Sequence, residues 1–314
     1  MKTGTSKAVI FLAIFGVSLF FSLTHIAAKE AVMKLSPWAV ALYRFIIGSI
    51  TLFLLMRITG KEINLQPVDR WRFVTLAFLA VPLNQMTFLT GIQYTPASHA
   101  ALMYATTPAW VLVLTLWLKI EKLRWWKWAG IALAMFGVGV LFAGELLSFR
   151  KETVLGDLLI LMAVLSWALF TALGKPIVER YGSLETTFVV ITFGLFLYLP
   201  FGLIPAIRAD YSQTTITVWL SIVYIGIFAS GLGYFLWYWL LERIRPSQVA
   251  IVTCTQPPLT ALLAWIIFGT FPTYHLFVSG IIVLTGVFLM VGYGGTKPVS
   301  YTHLRAHETE ADLV

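Results

Sequence analysis

The chain of 314 residues is 59% hydrophobic and 11% charged, with a formal net charge of +8 and a mean hydropathy of +0.86. A soluble domain carries about 25% charged residues, so this composition leaves too little polar side chain to cover a water-exposed globule. The single cysteine, Cys254, excludes an internal disulfide and a cysteine metal site. The basic residues lie in short clusters between apolar runs, which reads as a topology signal and not as a nucleic-acid surface.

Apolar runs long enough to cross about 30 Å of hydrocarbon recur from end to end. Ten spans are expected, at 8–28, 37–57, 71–92, 97–118, 126–144, 157–178, 185–207, 216–241, 247–268 and 273–293. The first is too long for a signal-peptide core and reads as a retained helix. The second carries Arg44 about two turns in, roughly 10 Å deep at 1.5 Å per residue. Arg44 is expected to be structural, bonded to backbone carbonyls, with binding of a carboxylate as the alternative. The third holds "AFLAVPLNQMTFLTGIQYTP", in which Pro82 precedes Asn84 and Gln85 near the middle of the span. An unpaired amide in hydrocarbon costs several kcal/mol, so both side chains must face protein or a wet cavity. Pro82 withdraws a backbone donor and leaves a carbonyl available nearby.

The fourth span carries Thr106, Thr107, Pro108 and Trp110, and the ninth carries Thr255, Gln256, Pro257 and Pro258. These prolines are expected to kink the helices and to act as hinges. Between them, Trp125, Trp126 and Trp128 beside Lys122, Arg124 and Lys127 mark a membrane interface. In the eighth span, "GLGYFLWYWLLE" places Tyr234, Trp237 and Tyr238 at i, i+3 and i+4. If this stripe faces a cavity together with Trp110 and Trp167, it suits an apolar or aromatic substrate moiety. The segment 296–314, "TKPVSYTHLRAHETEADLV", is polar and aperiodic and reads as a non-native, disordered tail.

With the N-terminus inside, Arg57, Lys61, Arg70, Arg72, Lys119, Lys122, Arg124, Lys127 and most other basic residues fall on inner segments. Lys29, Lys34, Arg150, Lys151 and Arg208 fall outside. Both termini are therefore expected in the cytoplasm. Shifting the sequence by 150 superposes Pro96 on Pro246, Pro108 on Pro258 and Gly130 on Gly280. Two five-helix repeats, 8–145 and 155–293, are expected. An odd number of spans forces the second repeat to enter the membrane upside down, an arrangement that builds a midplane substrate site in secondary transporters.

The chain resembles the drug/metabolite transporter superfamily, specifically the EamA-type permeases. The resemblance rests on "HIAAKEAV" with Lys29, "SPWAVALYRF" with Pro37 and Arg44, and "YTPASHAALMYATTPAW" followed by Glu121 and "GIALAMFGVGVL". It continues in the second half with "SWALFTALGKPIVERYG", which contains Lys175, and "IRPSQVAIVTCTQPPLTALLAW". It implies an all-α membrane protein of ten helices in two halves, placed in a bacterial cytoplasmic membrane and exporting amino acids or similar small amphipathic metabolites. Multidrug or nucleoside transport is the alternative. His25 stands where many members have a small polar residue, and "FGTFPTYH" lacks the acidic counterpart of Glu121.

No phosphate-cradling G-x-x-x-x-G-K-[ST] occurs, so transport is expected without ATP hydrolysis. The acidic residues fall in loops, span ends and tail. His25 is the one candidate proton carrier near neutral pH, with Lys29 and Lys175 as candidates for a charge role. An intramembrane metalloenzyme would need clustered ligands, whereas His25, His99 and His275 are isolated and His303 and His307 lie in the tail. No cofactor is expected, and the partners are a small-molecule substrate and lipid. The substrate-facing candidates are Asn84, Gln85, Thr106, Thr107, Trp110, Trp167, Tyr234, Trp237, Tyr238 and Gln256.

Overall fold

The computed structural model describes residues 6–95, 97–121, 125–141, 154–269 and 274–292. Pro96, the basic residues Lys122 and Arg124, and the tail 296–314 lie outside them. Among the described residues all regular structure is helical. Eight helices are long and apolar enough to cross a membrane: α1 (Lys7–Val32), α2 (Pro37–Thr59), α3 (Pro67–Tyr94), α4 (Ala100–Trp117), α6 (Val154–Tyr181), α7 (Ser183–Ile207), α8 (Ile216–Arg243) and α9 (Pro246–Phe268). Between and after them lie the apolar helices α5 (Trp125–Leu141) and α10 (Tyr274–Gly292), which pack on each other.

The helix ends obey local chemistry. Prolines open α2, α3 and α9, where the first turn has no use for the missing N–H. Gly60 closes α2 at φ 61° and Gly182 joins α6 to α7 at φ 90°, backbone that costs glycine nothing and penalises any residue with a Cβ. The helices run apolar on every side. Phe15, Phe53, Phe196, Ile281 and Phe288 stand exposed on the outer surface, as a lipid-facing wall requires.

Two long helices are broken in their middles, and in the same way. α3 widens into a π segment at Leu79–Leu83, around Pro82. α8 does so at Ile225–Gly233. Such bulges lift backbone groups out of the regular ladder. α4 and α9 are interrupted as well: α4 stops at Tyr104 and restarts at Thr107, while α9 passes through a 3₁₀ turn at Ile251–Thr255 before Gln256. Pro108 and Pro257 sit at the restarts, where their missing donors are harmless. The two interruptions meet, with Cys254 Sγ 3.3 Å from Ala105 O.

Lipid gives helices no hydrophobic reason to associate, so close backbone approach through small residues must hold them. At the α2–α8 crossing a Cβ built on Gly48 would lie 2.8 Å from Ser230 Cβ, and one on Gly226 would lie 2.7 Å from Ile47 Cβ. At the α3–α6 crossing, Gly91 and Gly156 each approach the other's carbonyl closely enough to exclude a side chain. The bundle ends are tied by polar side chains. Buried Asp69 accepts from Arg72 at 2.9 Å, from Arg180 at 2.5 Å and from Tyr181 at 2.7 Å, joining the start of α3 to the end of α6.

Candidate functional site

The first turn after the α3 bulge carries Asn84 and Gln85, and the bulge decides what surrounds them. Leu79 O accepts from Ser166 Oγ on α6 at 2.7 Å, and Ala80 O accepts from Tyr234 OH on α8 at 3.2 Å. Carbonyls at the break are thus capped by the second half of the chain. Asn84 Nδ2 donates to Ala163 O at 2.7 Å and to Tyr104 OH at 3.2 Å. Gln85 Nε2 donates to Asn84 Oδ1 and, at 3.3 Å, to Tyr234 OH. Both amides are buried, as expected, and both face protein.

Arg44 joins the same network. Its Nη1 donates to Gln85 Oε1 at 2.6 Å and its Nε to Ser230 Oγ at 2.8 Å. The expectation of backbone carbonyl partners is corrected: the Gly48–Gly226 crossing brings Ser230 within reach, and the α3 bulge turns Gln85 toward the guanidinium. Among the described residues no carboxylate pairs with Arg44, which is 2% exposed.

A polar seam between α1 and α9 completes the site. Ser18, Ser22 and His25 lie on one face of α1. Ser18 Oγ accepts from Thr255 at 2.6 Å, Ser22 O accepts from Thr260 at 3.2 Å, and His25 Nε2 lies 2.9 Å from Gln256 Oε1.

Between seam and network lies a cavity of about 50 Å³, lined by Phe21, Thr24, His25, Arg44, Asn84, Gln85, Phe88, Tyr104, Trp167, Tyr234 and Gln256. One water needs about 10–15 Å³ by this measure. The space therefore admits a few waters and no metabolite, and a substrate would enter only if the helices separated. Its apolar wall is a nest of rings. Trp167 meets Tyr234 edge-on at 5.0 Å and Phe21 at 5.7 Å, while His25 faces Phe88 and Tyr104, each at 5.8 Å.

Of the residues singled out in the sequence, the structure brings His25, Arg44, Asn84, Gln85, Trp167, Tyr234 and Gln256 to this cavity. Others lie elsewhere. Thr106 and Thr107 turn their hydroxyls back to Met103 O and Tyr104 O, closing the α4 interruption. Trp110, at 38% exposure, faces outward. Trp237 and Tyr238 pack behind the lining: Trp237 donates to Thr171 at 3.2 Å, and Tyr238 sits on Phe170 and Gly174, its hydroxyl buried without a partner. Lys29 and Lys175 cap helix ends. Lys29 donates to Ile92, Gln93 and Thr95 carbonyls at the end of α3, Lys175 to Leu241 and Ile244 carbonyls at the end of α8. Lys175 also pairs with Glu179 at 3.0 Å.

Sequence reading missed Tyr104, Phe21, Phe88 and Ser230. Ser230 had a signal, since it lies four residues after Gly226 in "GIFASGLG", the spacing of a tight helix crossing. It also missed a buried pair away from the cavity. Glu121 accepts from Lys127 Nζ at 2.5 Å, from Ser247 N at 2.8 Å and from Ser247 Oγ at 2.6 Å. The carboxylate so caps the start of α9, and Lys127 is drawn out of the expected interfacial belt.

Apolar helices of membrane length packed around a small internal cavity define a multi-pass membrane protein. The chain matches the EamA-like transporter family model twice, over residues 8–143 and 154–292. It belongs to that family. It is similar to the uncharacterized transporter YoaV of Bacillus subtilis, 24% identical over 89% of this chain and 96% of the relative, and to the uncharacterized transporter YetK of the same organism, 28% identical over 88% and 86%. The WAT1-related protein At3g18200 of Arabidopsis thaliana is 28% identical over 70% of this chain and 63% of its own length. A solved crystal structure matches with a TM-score of 0.73 at 20% identity, covering 91% of this chain and 98% of the other, a likeness of fold.

Proposed function

We propose that the chain crosses the membrane ten times, α5 and α10 included, as two inverted five-helix repeats over 8–145 and 155–293. It carries small amphipathic metabolites, amino acids foremost, out of a bacterial cell by alternating access. One observation carries this reading: the cavity lies where the matched breaks of α3 and α8 and of α4 and α9 converge, and both halves supply its lining. Matched breaks give each half its own pivot, and rocking about the shared cavity would open it first inward and then outward. The contracted volume fits a state between the two openings. Both termini then lie in the cytoplasm, with the polar segment 296–314 outside the transport unit, and the substrate gradient drives movement without ATP.

The test is counterflow in proteoliposomes with labelled amino acids, nucleosides and cationic drugs. Saturable, ATP-independent exchange of an amino acid is the expected result. Exchange of nucleosides or drugs alone would replace the substrate class, and exchange of none would sink the reading. A second reading, proton coupling, is supported by His25, which reaches from α1 to Gln256 on α9 inside the cavity. Uptake driven by an imposed pH gradient and lost in His25→Gln would distinguish it from facilitated movement.

A further inference from the structure

We propose that Arg44 is the docking point for a carboxylate on the transported substrate, and that the ring nest beside it takes the substrate's apolar body. The proposal rests on the reading of the central cavity as the transport site. Arg44 is 2% exposed and belongs to the lining of this cavity. Its Nε and Nη1 are held by Ser230 Oγ and Gln85 Oε1, both neutral acceptors. Its Nη2 makes no hydrogen bond among the described residues.

A full positive charge at this depth is costly unless something compensates it, and no described carboxylate does. A planar guanidinium held at Nε and Nη1 has its orientation fixed and presents Nη2, its remaining donor nitrogen, preorganised to receive an anion. The bond to Gln85 and the bond to Ser230 come from different halves of the chain, so the donor geometry is set by the joint between them. The rest of the lining decides what the anion is attached to. Phe21, Trp167 and Tyr234 meet one another edge to face at 5.0–6.4 Å, forming an apolar wall next to the guanidinium. Among the described residues the lining holds no acidic side chain. An organic cation would therefore meet Arg44 with nothing to offset the repulsion, and a neutral nucleoside would leave the charge unanswered. The substrate class is a small carboxylate with an apolar or aromatic body, amino acids included.

The experiment uses the full chain in proteoliposomes with three labelled probes of one shape: L-phenylalanine, 3-phenylpropanoate, and the neutral carboxamide 3-phenylpropanamide, which lacks the anion. Wild type should exchange the two carboxylates at least about thirtyfold faster than the carboxamide, the scale of leaving a buried charge unpaired. Arg44→Gln should abolish that preference. Arg44→Lys, which keeps the charge and loses the fork, should restore it in part. Because Arg44 also holds Gln85 and Ser230, its variants are checked for an unchanged gel-filtration profile. A second measurement needs no variant: in detergent, 3-phenylpropanoate should raise the melting temperature of the wild-type protein and 3-phenylpropanamide should not. Equal exchange of carboxamide and carboxylates overturns the Arg44 assignment while leaving the transport reading standing. So does Arg44→Gln with an unchanged preference. Exchange of none of the three, with no thermal stabilisation, overturns both.

Discussion

α3 and α8 are each 28 residues long and each widens into a π segment near its middle, yet they reach that shape by different chemistry. In α3 a proline imposes it by removing an N–H from the ladder. In α8 no proline is present, and Gly226, Gly231 and Gly233 accompany the break, the first against Ile47 of α2 and the third against Phe21 of α1. The residues just past each break differ too. α3 continues with Asn84 and Gln85, α8 with Tyr234 and the packed pair Trp237 and Tyr238. The backbone device is shared and fixes where the cavity lies. The side chains diverge and give that cavity one polar wall and one aromatic wall. Even the helix ends keep the parallel, with Lys29 on the α3 carbonyls and Lys175 on those of α8.

The sharpest way to break the parallel is to fill the glycine side of it. Gly226→Val should push α2 from α8, separate Ser230 from Arg44 and cost about 1–3 kcal/mol as an overpacked crossing. Transport should vanish and the melting temperature in detergent should fall by several degrees; an unaltered melting curve would mean that this contact does not hold the two helices. Next in size are the polar lining residues. Asn84→Ala and Gln256→Ala should each slow exchange on the order of tenfold, with normal expression, because intramembrane hydrogen bonds average only about 0.6 kcal/mol for stability. Silence of both in the counterflow assay would remove the cavity from the transport path.

The lysine caps test whether the halves are equivalent outside the cavity. Lys29→Met and Lys175→Met each strand carbonyls at a helix C-terminus and should each destabilise by about 1–2 kcal/mol. Their melting temperatures are expected to drop by comparable amounts, and a large inequality would show that the two caps are not counterparts. Smallest of all is Tyr238→Phe. Its hydroxyl is buried without a partner, so removing it should leave stability unchanged or raise it by up to about 1 kcal/mol, read by thermal unfolding. A clear loss would reveal a hidden hydrogen bond.

What the sequence determined by itself was everything that depends on the solvent. Apolar runs of membrane length forced helices, Pro82 marked a break, and Asn84 and Gln85 had to be sheltered because lipid offers an amide no partner. What it could not determine was rotation. A helix that is apolar on every side carries no amphipathic signal of which way it faces, so Trp110 and Trp237 were as eligible for the cavity as Trp167. Nor could it tell that Lys29 and Lys175 spend their charges on helix ends, since those carbonyls lie more than sixty residues away along the chain. Only tertiary packing decided these points, by pressing Gly48 against α8 and Gly91 against α6. Where backbones touch that closely, the register of every neighbouring side chain is fixed, and Arg44 is left facing Gln85, Ser230 and the open edge of the cavity.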